Sequence, residues 1–154
     1  MRKILVTGMS GTGKSTVLAK LRQRGFDVVD TDEESLTVWS DEERGFVWRE
    51  DEVGDLLDRS GMRTLYVAGC VSNQGRFYPR FDAVVLLSAP ADVLLRRIAT
   101  RRTNGFGKTP SERAAILADL SDVEPLLRAT CTHELDATQP VEAVVAQLIA
   151  IGAG

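Results

Sequence analysis

The chain has 154 residues, a formal charge of −3, 44% hydrophobic and 27% charged residues, which suits a soluble globular protein with length for a substantial core. This balance offers no bulk field for nucleic acid or an anionic membrane, so any basic site must be local, and no apolar run reaches membrane-spanning length. The two cysteines, Cys70 and Cys131, fit neither a metal-ligand spacing nor a disulfide framework and read as small reduced hydrophobes. Met1-Arg2-Lys3 has the look of a signal n-region, but the apolar run behind it is far too short, so a cytoplasmic protein is expected.

In chain order, Lys3-Ile4-Leu5-Val6-Thr7 is a short β-branched run that predicts a buried strand. It leads into Gly8-Met9-Ser10-Gly11-Thr12-Gly13-Lys14-Ser15, which matches G-x-x-x-x-G-K-[ST], the phosphate-cradling P-loop. Gly8, Gly11 and Gly13 let the backbone approach phosphate oxygens closely, and Thr12, Ser15 and Thr16 lie at the start of the following helix, whose N–H groups favour an anion. Lys14 brings a mobile charge for the β- and γ-phosphates, and the Ser15 hydroxyl suits Mg²⁺. Val17, Leu18 and Leu21 give that helix its apolar face, and Gly25 closes it.

Residues 26–32 predict a second strand ending in two acids, Asp30 and Asp32; Glu33 to Leu36 then read as a helix start capped by Thr31 or Asp32. From Trp39 to Glu52 the pattern is irregular, with Trp39, Phe46 and Trp48 set among charges, before a helix from about Glu50 to Arg59. These aromatics can stack on a flat ring or pack a small core. Residues 64–68 predict a third strand running into Gly69-Cys70, followed by a loop or short irregular helix over 72–80. Residues 83–88 form the fourth strand, and Pro90 opens a helix carrying Arg96, Arg97, Arg101 and Arg102. A Gly-containing loop over 103–110, helices from Ser111 and around 124–129, a short strand at 133–137 and a last helix from Val141 complete the chain. His133, the single histidine, reads as structural.

Strands alternating with helices predict an α/β three-layer sandwich with a five-stranded parallel sheet, and no linker splits residues 1–154. Ligands of such folds bind beyond the carboxyl ends of the strands, and the P-loop, Asp30/Asp32, Gly69/Cys70, the arginine helix and the loop 136–140 all fall there. Phosphoryl transfer needs charge neutralisation, positioning and sometimes a base. Arg97 and Arg101, four apart, share a helical face. Of Asp30 and Asp32, one can hold Mg²⁺ through water and the other can accept a hydroxyl proton; Asp32 is assigned the base and Asp30 the metal.

With these motifs in place, the chain resembles the small P-loop kinases, the superfamily of shikimate kinase, gluconate kinase and the nucleoside monophosphate kinases, over nearly its whole length. The resemblance implies ATP and Mg²⁺ as cofactors. It also implies that Arg97-Ile98-Ala99-Thr100-Arg101 places Arg97 on adenine and Arg101 on phosphates, that Asp136, Thr138 and Pro140 belong to an adenine-side loop, and that residues of about 102–110 form a lid. Residues of about 33–61 become an acceptor-binding insertion, with Asp32, Arg49, Gly69, Cys70 and Arg76 on the acceptor. Gln74, Arg76 and Tyr78 lie where gluconate kinase has polar acceptor contacts. Where shikimate kinase carries three glycines after its third strand, this chain has Ala68-Gly69-Cys70-Val71, which argues against shikimate itself.

The expected function is therefore an ATP-dependent phosphotransferase acting on a hydroxyl of a small molecule. The first alternative is a nucleoside monophosphate kinase, with Arg44, Arg49, Arg76 and Arg80 as candidate grips for an acceptor phosphate. The second is a regulatory nucleotide-binding NTPase with no acceptor. The sequence indicates no nucleic acid or membrane partner.

Overall fold

The computed structural model describes residues 1–101, 105 and 107–154. Five parallel strands form the sheet: β1 (Lys3–Thr7), β2 (Asp27–Asp30), β5 (Leu65–Ala68), β6 (Ala83–Ser88) and β7 (His133–Asp136), in the order β2-β5-β1-β6-β7. The register places Val6 beside Ala68 and Val85, so the strand ends that precede the P-loop and Gly69 are level. These strands form because β-branched runs buried on both faces suit a parallel ladder.

The pleat divides each strand between two cores. Ile4, Val6, Tyr66 and Val85 face α1 (Lys14–Gln23), α3 (Ala91–Thr100) and α6 (Val141–Gly152), packing on Leu18, Leu21, Leu94, Val145 and Leu148. Leu5, Val67 and Val84 face α2 (Glu50–Leu57) and the 3₁₀ helix Gln74–Arg80, packing on Trp48, Val53, Leu57 and Phe77. This is the expected three-layer α/β arrangement. Two further helices, α4 (Pro110–Asp122) and α5 (Glu124–Thr130), follow the arginine helix. Thr109 and Glu112 close a capping box at the start of α4, which satisfies two helix-end donors reciprocally. Much of the expected lid, residues 102–104 and 106, lies outside the described residues.

Two expectations between β2 and α2 are corrected. Residues 33–36 do not start a helix. Glu34 N–H donates to Asp30 C=O and Leu36 N–H to Thr31 C=O, a single turn that ends where Ser35 takes φ 56°. A non-glycine residue in the left-handed region terminates the helical run rather than extending it. Neither Thr31 nor Asp32 caps; instead the Asp30 carboxylate accepts the Asp32 N–H at 3.1 Å.

The stretch from Trp39 is also regular, not irregular. β3 (Thr37–Ser40) and β4 (Gly45–Trp48) form an antiparallel hairpin, pairing Thr37 with Trp48 and Trp39 with Phe46. Thr, Val, Trp and Phe fit a pleated surface, and a four-residue loop joins them with Arg44 at φ 54°. The helix after it ends at Leu57, two residues short of the expected Arg59.

Candidate active site

The P-loop begins as β1 ends. Gly13 sits at the N-cap of α1 with φ 92°, and no side chain caps that helix. A left-handed residue at this corner is what glycine supplies without strain. The first-turn N–H groups of α1 have no intrahelical acceptors, and Ser10 through Val17 line one cleft with them. An uncapped helix start on a glycine corner fits a phosphate chain. Lys14 Nζ folds back on the Gly8 C=O and, at 3.2 Å, the Met9 C=O. Burial pushes the Lys14 ammonium below the ordinary lysine range, against the raising influence of Cys70, Asp32 and Asp30.

The acid pair after β2 converges on the same place. Ser15 Oγ donates to Asp30 Oδ2 at 2.9 Å, so the helix hydroxyl and a buried carboxylate already share one small volume. Two oxygens so placed fit Mg²⁺, which keeps several waters and takes few protein ligands. Asp32 lines the cleft beside Lys14. Burial and, next, the Asp30 charge push its carboxyl above the usual carboxylate range, with Lys14 opposing.

The far wall comes from α3 and the loop after β7. Arg97 donates to Gly11 C=O at 3.3 Å and to Ala137 C=O at 2.6 Å, tying the P-loop to that loop. Arg101 lines the cleft at the C-cap of α3. The cleft has a volume of about 480 Å³ and gathers Gly11, Thr12, Gly13, Lys14, Ser15, Thr16, Asp32, Arg97 and Arg101. Gly8 supplies the carbonyl on which Lys14 rests.

Several expected residues lie elsewhere. In the loop after β7, Ala137 and Gln139 line the cleft, with Val141 and Val144 of α6, in place of Asp136, Thr138 and Pro140. Thr138 turns back, its N–H and hydroxyl donating to Asp136 Oδ1 at 2.8 and 2.6 Å. Those bonds hold the Asp136 carboxyl below its ordinary range. Asp136 itself lines a second, separate cleft with Ser88, Glu124, Arg128 and Glu134.

On the acceptor side, Gly69 is buried beneath the Trp48 indole, Cys70 is half-buried against the core, and Arg49 stands exposed at the N-cap of α2. Arg76 is drawn away to Glu50 at 3.0 Å.

Three residues carry more of this region than their sequence setting suggests. Trp48 Nε1–H donates to Thr31 Oγ at 3.1 Å, and Thr31 Oγ–H to Ala68 C=O at 2.8 Å. Asn73 brackets the Trp48 backbone, accepting from its N–H at 2.9 Å and donating to its C=O at 3.1 Å. Gln74 is buried rather than offered to an acceptor; it donates to Thr7 Oγ and to the Tyr78 hydroxyl, each at 3.0 Å, and accepts from Val71 N–H. The Asn73–Trp48 and Gln74–Thr7 bonds join residues 25 and 67 positions apart, and such separations leave no local signal in the sequence.

A family model described as an AAA domain matches residues 4–118. Shikimate kinase 2 of Yersinia enterocolitica is 32% identical over 167 residues, spanning 96% of this chain and 94% of that protein. Among solved structures, shikimate kinase from Bacteroides thetaiotaomicron matches with a TM-score of 0.70 at 22% identity, covering 97% of each chain. A gluconokinase from Sinorhizobium meliloti matches with a TM-score of 0.61 at 20% identity, covering 99% of this chain and 91% of the other; both likenesses are of fold. The glycine corner, the lysine on the loop carbonyls and the matched residues 4–118 place the chain in the AAA-domain family of P-loop proteins, among its small P-loop kinases.

Proposed function

We propose that the chain is an ATP-dependent phosphotransferase that moves the γ-phosphoryl of a Mg-nucleotide to a hydroxyl of a small molecule in the cytoplasm. The observation that carries this reading is the arrangement of two carboxylates with distinct surroundings. Asp30 is bound to Ser15, while Asp32 stands in the cleft beside Lys14 with a raised pKa. Asp30 and Ser15 would hold Mg²⁺, which would supply charge neutralisation for the transferring phosphoryl group. Asp32 accepts the acceptor's hydroxyl proton, and a carboxyl lifted towards neutrality is the better proton acceptor. Lys14 and Arg101 neutralise the transferring group, and Arg97 orders the nucleotide side. Residues of about 33–61 hold the acceptor, with Arg49, Gly69 and Cys70 at its edge.

The monophosphate-kinase alternative needs unengaged acceptor-side arginines. Two of its four candidates are already neutralised: Arg76 by Glu50, and Arg80 by Asp58. Coupled ADP release, measured with hydroxyl compounds and with nucleoside monophosphates, decides between them. Turnover restricted to monophosphates would overturn the hydroxyl reading, and acceptor-independent hydrolysis alone would favour a regulatory NTPase.

Arg97→Ala removes both ties between the P-loop and the loop after β7. The expected outcome is a rise of roughly tenfold or more in the KM for ATP, because buried hydrogen bonds from a charged donor contribute about 1.5–3 kcal/mol. The acceptor KM, measured at saturating ATP, should move much less.

A further inference from the structure

The hairpin carries two aromatic rings in an unusual state. Trp39 and Phe46 are 54% and 60% exposed, yet they are ordered with respect to each other. Their rings meet edge to face at 5.4 Å, and the Trp39 indole N–H is held by Asp41 Oδ1 at 2.8 Å. A cross-strand aromatic pair helps a short hairpin pair correctly, but that role leaves the outer ring faces in water. The register puts Thr37 opposite Trp48 and Trp39 opposite Phe46. With side chains alternating along a strand, these two pairs share one hairpin face. That face begins at Trp48, whose indole touches Thr31 and Gly69 one residue from Asp32. Phe46 lies two residues from Trp48, about 7 Å along the same face of the strand, and Trp48 is bonded to Thr31, the residue before Asp32.

The segment that carries this platform is rich in acidic residues. Between Thr31 and Glu52 the chain has nine acidic residues and two arginines. Asp32, Glu33 and Glu34 precede the hairpin, and Asp41, Glu42 and Glu43 form its tip. Like charges so dense repel a carboxylate or phosphate and concentrate cations. An aromatic face in a negative field is the recognition chemistry of an ammonium group, attracted to the ring quadrupole.

We propose that Trp39 and Phe46 bind the acceptor, and that the acceptor is a hydroxylated molecule bearing a protonated amine, seated with its ammonium on these rings and its hydroxyl towards Asp32. This deepens, and rests on, the phosphotransferase reading. Of the arginines expected on the acceptor, Arg76 is engaged by Glu50.

The test uses the full chain labelled with ¹⁵N, whose two tryptophans give two indole N–H signals that Trp39→Leu assigns. Cyclohexylammonium chloride, cyclohexanol and sodium cyclohexanecarboxylate are titrated at equal ionic strength. Cyclohexylammonium is expected to shift the Trp39 signal saturably, with a Kd at least tenfold below that of cyclohexanol, while the carboxylate has no effect. Phe46→Leu, which keeps apolar area but removes the ring, should weaken the ammonium at least threefold with the Trp48 signal in place. Equal or tighter binding of the carboxylate or the alcohol, or no shift of Trp39 with any probe, overturns the proposal. A fluorescent ATP analogue added to the same sample separates the two readings. Loss of nucleotide binding sinks the kinase assignment, whereas nucleotide binding without ammonium preference sinks this inference alone.

Discussion

Replacing Asp32 by asparagine is expected to lower turnover at saturating acceptor by about 10²–10⁴-fold, the usual contribution of a positioned general base. Asparagine keeps the size and the polar contacts of the side chain but cannot take a proton. ATP binding should stay close to that of the parent, because Ser15 and Asp30 keep their 2.9 Å contact independently of Asp32. The pH profile of kcat/KM gives a second readout. In the parent the activity should rise as Asp32 ionises, and that rise lies above the ordinary carboxylate range because burial and the Asp30 charge favour the neutral form. The variant should lose this limb. Stability moves the other way. A carboxyl whose folded pKa is raised binds its proton more tightly in the native state, so stability falls as pH climbs from the unfolded pKa through the folded one. Above that window Asp32→Asn relieves a native-state cost, and thermal unfolding should show an unchanged or higher Tm. Intact turnover in the variant would remove Asp32 from the base role.

That prediction draws on a part of the site that is legible in the sequence. The P-loop is readable because its residue types stand at fixed spacing between a β-branched strand and an apolar-faced helix. The parallel strands are readable because Ile4 to Val6, Leu65 to Ala68 and Ala83 to Leu87 are buried on both faces. The hairpin is hidden by a competing local signal. Glu33 and Glu34 after an aspartate look like the acidic first turn of a helix, and only the left-handed Ser35 shows that the turn goes no further. The hairpin loop also lacks the Asn-Gly or Asp-Gly pair that flags a tight two-residue turn. In the loop after β7 the segment is legible but its facing is not: Thr138 hydrogen-bonds back to Asp136, which leaves Ala137 and Gln139 on the cleft. Arg76 reads as an acceptor ligand because its partner, Glu50, lies 26 residues away, a separation no local pattern reports.

Trp48→Ala is expected to destabilise the fold by about 3–5 kcal/mol, the range for deleting a buried large aromatic. For a chain of this size that lowers Tm by roughly 10 °C or more. Trp48 is 1% exposed, meets Phe77 edge to face at 5.6 Å and gives its indole N–H to Thr31. Deleting it opens a cavity in the core beneath α2 and withdraws a donor from a fully buried hydroxyl. Trp48→Phe keeps most of the volume and should cost much less, which isolates the N–H–Thr31 bond. Gly69→Ala probes the same contact from the opposite side. A Cβ there would stand 2.6 Å from Thr31 Oγ, closer than real contacts allow, and 3.0 Å from Trp48 Nε1, a tight approach, so Thr31 must shift. Because Thr31 separates Asp30 from Asp32, that shift turns the acid pair before it unfolds anything. Gly69→Ala should therefore reduce kcat by tenfold or more for a smaller fall in Tm than Trp48→Ala. Parental kcat in the Gly69→Ala variant, with a Tm as low as that of Trp48→Ala, would mean that the glycine serves only packing. The indole, the threonine and the glycine form one buried contact between the apolar core and the carboxylates, and through it a change in packing is expected to reach the acid pair.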